Sequence, residues 1–194
     1  METYSTPDII RILKNKGITL FSLEDFERLF NIKNRQTLYK KIQRLEQQKL
    51  IKRLIKGKYS FALNEVNHYQ ISNYLCRPSY ITLESALSFY GIITGFPYKI
   101  SSFTTKKSRT FIINQQEYHY CHISQKLFWG YEKQNNFLMA SKEKAILDYL
   151  YFSFKGLRQF DRQEFDFSGI KKTNLKQSAK RLNNPQILSV VQKL

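Results

Sequence analysis

The stretch NRQTLYKKIQRLEQQKLIKRLIKGKYSFAL, from Asn34 to Leu63, changes its hydrophobic period partway along. Leu38, Ile42 and Leu45 recur at i, i+4 and i+7, the spacing of one helix face, and Asn34 stands where a helix N-cap belongs. From Leu50 onward, Leu50, Ile51, Leu54 and Ile55 alternate imperfectly with cations. Lys56-Gly57 makes a tight turn, and Tyr59, Phe61 and Leu63 return with period two. A helix that runs directly into a hairpin has to share one small core with it, which excludes most folds for this region. The preceding residues supply the rest of that core. A first helix is predicted from Pro7 to Lys16, with Thr6 as N-cap, Ile9, Ile10 and Leu13 on its buried face and Gly17 at its end. A second helix begins at Ser22 with Asp25 in the capping-box position and an apolar stripe of Leu23, Phe26, Leu29 and Phe30. Helix, turn, basic helix and hairpin predict a winged helix-turn-helix over residues 1–66.

Opposite the Leu38–Ile42–Leu45 seam, Gln36, Lys40, Gln43 and Gln47 point outward, flanked by Tyr39 and Arg44. Long amides and cations are the side chains that bond base edges or reach phosphates. The reading assigns Arg35, Gln36, Tyr39, Lys40 and Gln43 to the major groove of double-stranded DNA, and Arg44, Lys56 and Lys58 to its phosphates. The plain alternative is a solvated basic face, or a winged helix that docks protein. Charge favours nucleic acid. The chain of 194 residues carries a formal charge of +17, and between Lys33 and Lys58 the sole acid is Glu46. After Asp166 there is no acid, while Lys171, Lys172, Lys176, Lys180, Arg181 and Lys193 remain. A polyanion is the expected partner. No apolar run approaches the ~20 residues of a membrane span, no secretory leader is evident, and two cysteines are too few for a disulfide scaffold. A cytoplasmic protein is expected.

Residues 70–194 read as a second domain, α+β in class, with a small antiparallel sheet and basic C-terminal helices. Ser79-Tyr80-Ile81 is extended. Thr82 caps a helix with Leu83, Ala86, Leu87 and Tyr90 inward, which Gly91 ends. YKISSFTT, SRTFII and YHYCHI are strand-like. Phe128, Trp129 and Gly130 form a turn, and ASKEKAILDYLYFSF is a helix capped by Ser141. One or two basic helices are expected in the tail, over Lys171–Leu182 and then Pro185–Leu194.

Three runs of this domain, in order after the winged helix, carry a family likeness. PSYITLESALSFYG at 78–91, SSFTTKKSRTF at 101–111 and ASKEKAILDYLY at 140–151 resemble the AbiEi family, the antitoxin and repressor components of type IV toxin–antitoxin systems in phage-defence loci. The likeness spans most of residues 6–155. It implies that the N-terminal domain binds inverted repeats in its own promoter and represses it. It also implies that the C-terminal domain opposes a nucleotidyltransferase toxin, without a stable complex between the two. The tail beyond Lys155 matches nothing in the family.

Thr104, Thr105, Lys106, Lys107, Ser108 and Arg109 cluster hydroxyls and cations between two strands. Thr105, Lys106, Lys107 and Arg109 are candidate phosphate contacts, against the plain reading of a solvated hairpin tip. His119, Cys121 and His122 invite a zinc guess, but no CxxC or HxxxH spacing is present, and Cys121 reads as a small core residue. A metal-dependent nuclease would need converging carboxylates from Glu84, Glu117, Glu143 and Asp148. Lys144 and Asp148, at i and i+4, read as a surface pair or an interdomain contact. The expectation is no enzyme, no metal and no cofactor. A transcription factor with a ligand-sensing second domain is the alternative.

Overall fold

A computed structural model describes residues 4–194, which divide into a unit ending at Leu75 and a unit from Cys76 to Leu194. The first contains α1 (Thr6–Asn15), β1 (Leu20–Ser22), α2 (Leu23–Leu29), α3 (Arg35–Gln47), β2 (Ile51–Ile55), β3 (Lys58–Phe61) and α4 (His68–Leu75). Its three strands pair antiparallel in the order β1-β3-β2. Ser5 rather than Thr6 caps α1. The Ser5 hydroxyl accepts the Asp8 N–H, and the Asp8 carboxylate accepts the Ser5 N–H, which satisfies two groups reciprocally. Ser22 and Asp25 repeat the arrangement at α2, as expected. The α3 seam of Leu38, Ile42 and Leu45 is buried against Phe26, Phe30 and Phe61. Each of these aliphatic side chains contributes on the order of 1.5–3 kcal/mol by leaving water. β1 and α4 were not foreseen: three residues show no period, and the His68–Gln70 start of α4 reads as a polar connection, although Ile71, Tyr74 and Leu75 recur at helical spacing and are buried.

The second unit contains β4 (Ser79–Ile81), α5 (Leu83–Phe89), β5 (Lys99–Thr104), β6 (Arg109–Ile113), β7 (Gln116–His122), β8 (Tyr131–Gln134), β9 (Phe137–Ala140), α6 (Lys142–Phe154), α7 (Lys172–Leu182) and α8 (Pro185–Lys193). The class is mixed α+β, but the sheet departs from expectation. It has six strands in the order β6-β7-β5-β4-β9-β8, and β5–β7 and β4–β9 pair parallel. The small antiparallel sheet is therefore corrected to a larger mixed one. Asn114 and Gln115, both with positive φ, turn β6 back into β7, and β7 then enters between β6 and β5. The interior slot goes to β7, which buries Tyr118, Tyr120 and Cys121, while β6 stays half-wet at the edge. α5 and α6 pack together, and Phe152 of α6 lies 4.7 Å from the Phe103 ring of β5. The tail forms both expected helices, separated at Asn183, whose φ of 50° breaks α7. Among the described residues no helix is long and apolar enough to cross a membrane.

Candidate nucleic-acid interface

Asn34 holds the start of α3 by accepting the Thr37 N–H at 3.1 Å. Burial of the seam then fixes which side chains face out. Arg35, Gln36, Tyr39, Lys40, Gln43 and Arg44 are all exposed, and Tyr39 keeps 54% of its surface in water, high for an aromatic residue. Lys41, by contrast, is turned aside and donates to the Tyr4 carbonyl at 2.6 Å.

Between α3 and the β2–β3 hairpin lies a groove of about 510 Å³. Tyr39 and Gln43 line it from the helix, Arg53 and Lys56 from the hairpin. The groove thus brings together two of the predicted groove readers and one predicted phosphate contact. Arg53 joins them unpredicted; its place in the imperfectly alternating β2 run was the available signal. Two carboxylates, Glu24 and Glu46, also line this groove. They repel phosphate, so a nucleic-acid backbone would have to run along its cationic rims rather than down its floor.

Lys58 is not at the hairpin tip as a spare cation. Its ammonium donates to the carbonyls of Tyr74 at 2.6 Å and Leu75 at 2.9 Å, and lies 4.8 Å from the Tyr74 ring centroid. Those carbonyls belong to the last turn of α4, where unpaired acceptors and the helix dipole attract a cation. These bonds weigh against the expected phosphate role of Lys58. Contacting phosphate would cost the end of α4 its cap.

In the second unit, the cation–hydroxyl run does not form a cradle. The Thr104 hydroxyl is buried and donates to the Pro78 carbonyl at 2.6 Å, while accepting the Lys106 N–H. The Ser108 hydroxyl accepts the His122 N–H, and the Lys106 carbonyl meets His122 Nδ1 at 3.1 Å. These groups are spent on the local fold. Thr105 is half-buried, and Lys106, Lys107 and Arg109 remain exposed.

Lys144 and Asp148 correct a second expectation. They are 1% and 2% exposed, an ion pair inside the unit rather than on its surface. Asp148 also accepts the Thr82 hydroxyl at 2.7 Å and the Tyr80 hydroxyl at 3.1 Å, and Lys144 donates to Tyr80 at 3.0 Å. Burial pushes the Asp148 carboxyl above the usual carboxylate range, against the pull of the Lys144 charge. Burial, then the Asp148 charge, raises the Tyr80 hydroxyl well above its usual value, so it stays a donor. Trp129 covers the group, with Lys144 Nζ 4.9 Å from its ring and the Arg181 guanidinium 4.5 Å from it. A Cβ on Gly130, whose φ is +71°, would meet the Lys144 stem at 3.1 Å. The i, i+4 spacing was legible, but the depth was not, because the partners Tyr80 and Thr82 lie more than sixty residues away.

His119 Nδ1 and Cys121 Sγ sit 3.5 Å apart on β7. Burial lowers the imidazole and raises the thiol, which leaves both neutral. Glu84 is paired with Arg158. Among the described residues no three His, Cys, Asp or Glu side chains come together as metal ligands. Neither a family model nor a curated protein matches this sequence.

Proposed function

We propose that the first unit is a winged helix-turn-helix that binds double-stranded DNA, and that the chain is a transcriptional autorepressor and antitoxin of the AbiEi kind. The element order α1-β1-α2-α3-β2-β3, with β1 pairing to β3, supports the winged-helix reading. The observation that carries DNA binding is the outward face of α3, where Gln36, Lys40 and Gln43 stand exposed beside Tyr39 while the opposite face is the core. α3 would enter the major groove, Arg35, Gln36, Tyr39, Lys40 and Gln43 would face the bases, and Arg44, Arg53 and Lys56 would meet phosphates.

The antitoxin half of the proposal rests on the three motifs of the second unit. Their polar residues form its framework: Tyr80 and Thr82 meet Lys144 and Asp148, and Thr104 fastens the Pro78 carbonyl. What opposes a nucleotidyltransferase toxin would then be surface that this framework holds in shape.

A gel-shift titration against DNA upstream of the gene tests the first half. Gln36→Ala and Lys40→Ala are expected to weaken binding sequence-selectively, by about 1–3 kcal/mol for a lost bidentate contact. Unchanged titrations for both would remove α3 as the reading helix. Coexpression with a neighbouring nucleotidyltransferase tests the second half, and growth arrest that the full chain fails to relieve would end it.

A further inference from the structure

The unused outer edge of the six-stranded sheet carries a separate conclusion. β6 is the end strand, and its sequence Arg-Thr-Phe-Ile-Ile is strongly β-forming. The two-residue turn at Asn114–Gln115 makes Ile113 and Gln116 the closing hydrogen-bonded pair. Alternation along the antiparallel register then sends the N–H and C=O groups of Phe111 and Arg109 to β7, and those of Thr110 and Ile112 outward. Proteins normally blunt such an edge with charge, proline or a bulge on the strand itself. Here the outward-bonding residues are Thr110 and Ile112, both exposed, and the Ile112 side chain is 73% in water. Tyr98, 97% exposed, stands at this end of the sheet, where its carbonyl accepts from Gln116 Nε2 beside the turn at 2.8 Å. Large apolar side chains left in water at an open strand edge mark a surface that is covered in use.

The other end of β6 says what covers it. Lys106, Lys107 and Arg109 are exposed, and among the described residues no carboxylate pairs with them. Because the hydroxyls and amides around them are already bonded, they make an open cationic rim rather than a phosphate cradle. We propose that the β6 edge is a docking strand for an extended segment of a partner protein, with carboxylates at one end and β-branched residues at the other. The segment would add a seventh strand, bond the Thr110 and Ile112 backbone, place its apolar side chains by Ile112 and set its carboxylates against Lys106, Lys107 and Arg109. Docking at β6 would be independent of DNA binding by the first unit.

The test uses the full chain and two labelled synthetic octapeptides of alternating Val and Thr, one ending and one beginning with three Glu, with Lys-for-Glu versions as controls. Saturable binding of an acidic peptide is expected by fluorescence anisotropy, with slowed hydrogen exchange at the Thr110 and Ile112 amides. Lys106→Glu with Lys107→Glu, which touches no buried group, should weaken it roughly tenfold. Ile112→Pro, which removes one outward N–H, should abolish it, with circular dichroism reporting the fold. The proposal is overturned by no saturable binding by either acidic peptide, by equal binding of the lysine versions, by binding without amide protection, or by protection that grows with protein concentration alone, which would make a second copy the occupant. Displacement of the peptide by an oligonucleotide in the Lys56→Ala background would equally return the rim to phosphate.

Discussion

Two lysines close in sequence have opposite work. Lys56 lines the groove beside α3 with its charge exposed, whereas Lys58 is bound to the Tyr74 and Leu75 carbonyls. Lys56→Ala should leave the thermal midpoint unchanged and lower the salt slope of DNA binding by about one unit. Lys58→Ala should do the reverse. It should cost roughly 1.5–3 kcal/mol of stability for bonds from a charged donor, seen by denaturant titration, and leave the salt slope intact. The buried Lys144–Asp148 pair makes a sharper case. Lys144→Met alone strands a carboxylate with only hydroxyl partners and should cost about 3–5 kcal/mol, while Lys144→Met with Asp148→Leu should cost much less. A urea series on both variants decides it, and a double variant as unstable as the single would show that the pair stabilises the unit outright.

At the scale of elements, the helices of the first unit depend on their caps. The Asp25 carboxyl is held below its usual value, chiefly by the Ser22 backbone N–H, with the Ser22 hydroxyl and Arg28 adding to the effect. Because the folded carboxyl is depressed, its contribution is present at neutral pH and is lost as pH falls through the folded value, from about pH 4 downward. Wild type should therefore melt above Asp25→Asn at pH 7, and the gap between them should close in acid. A gap that does not narrow as acid is added would mean that the charge on Asp25 is not what holds α2. These helices were legible because caps and seams lie within a few residues of one another. The sheet of the second unit was not. YKISSFTT, SRTFII and YHYCHI identify three strands, but nothing in their periods says that YHYCHI enters between the other two. Short β8 and β9 escaped notice for the same reason as β1, since four residues cannot display a period.

For the whole molecule, the +17 charge supports the proposed polyanionic partner without saying how many phosphates would be met. If phosphate contact is confined to Arg44, Arg53 and Lys56, the logarithm of the affinity should fall with the logarithm of salt at a slope of about −2.7. A slope twice as steep would place part of the tail, Lys171 to Lys193, on the DNA as well. The outward face of α3 was readable before any coordinates, because burying Leu38, Ile42 and Leu45 forces Gln36, Lys40 and Gln43 into water whatever else the chain does. The sequence by itself therefore determined the local elements, their caps and the polarity of their faces, all of which depend on neighbours within a few positions. Only the tertiary structure decided that Lys58 caps a helix, that Lys144 and Asp148 lie inside, and that β6 is left at an edge. Each of those outcomes is set by partners far apart along the chain, and side-chain spacing alone does not encode whether such partners will bury a charge or leave it in water.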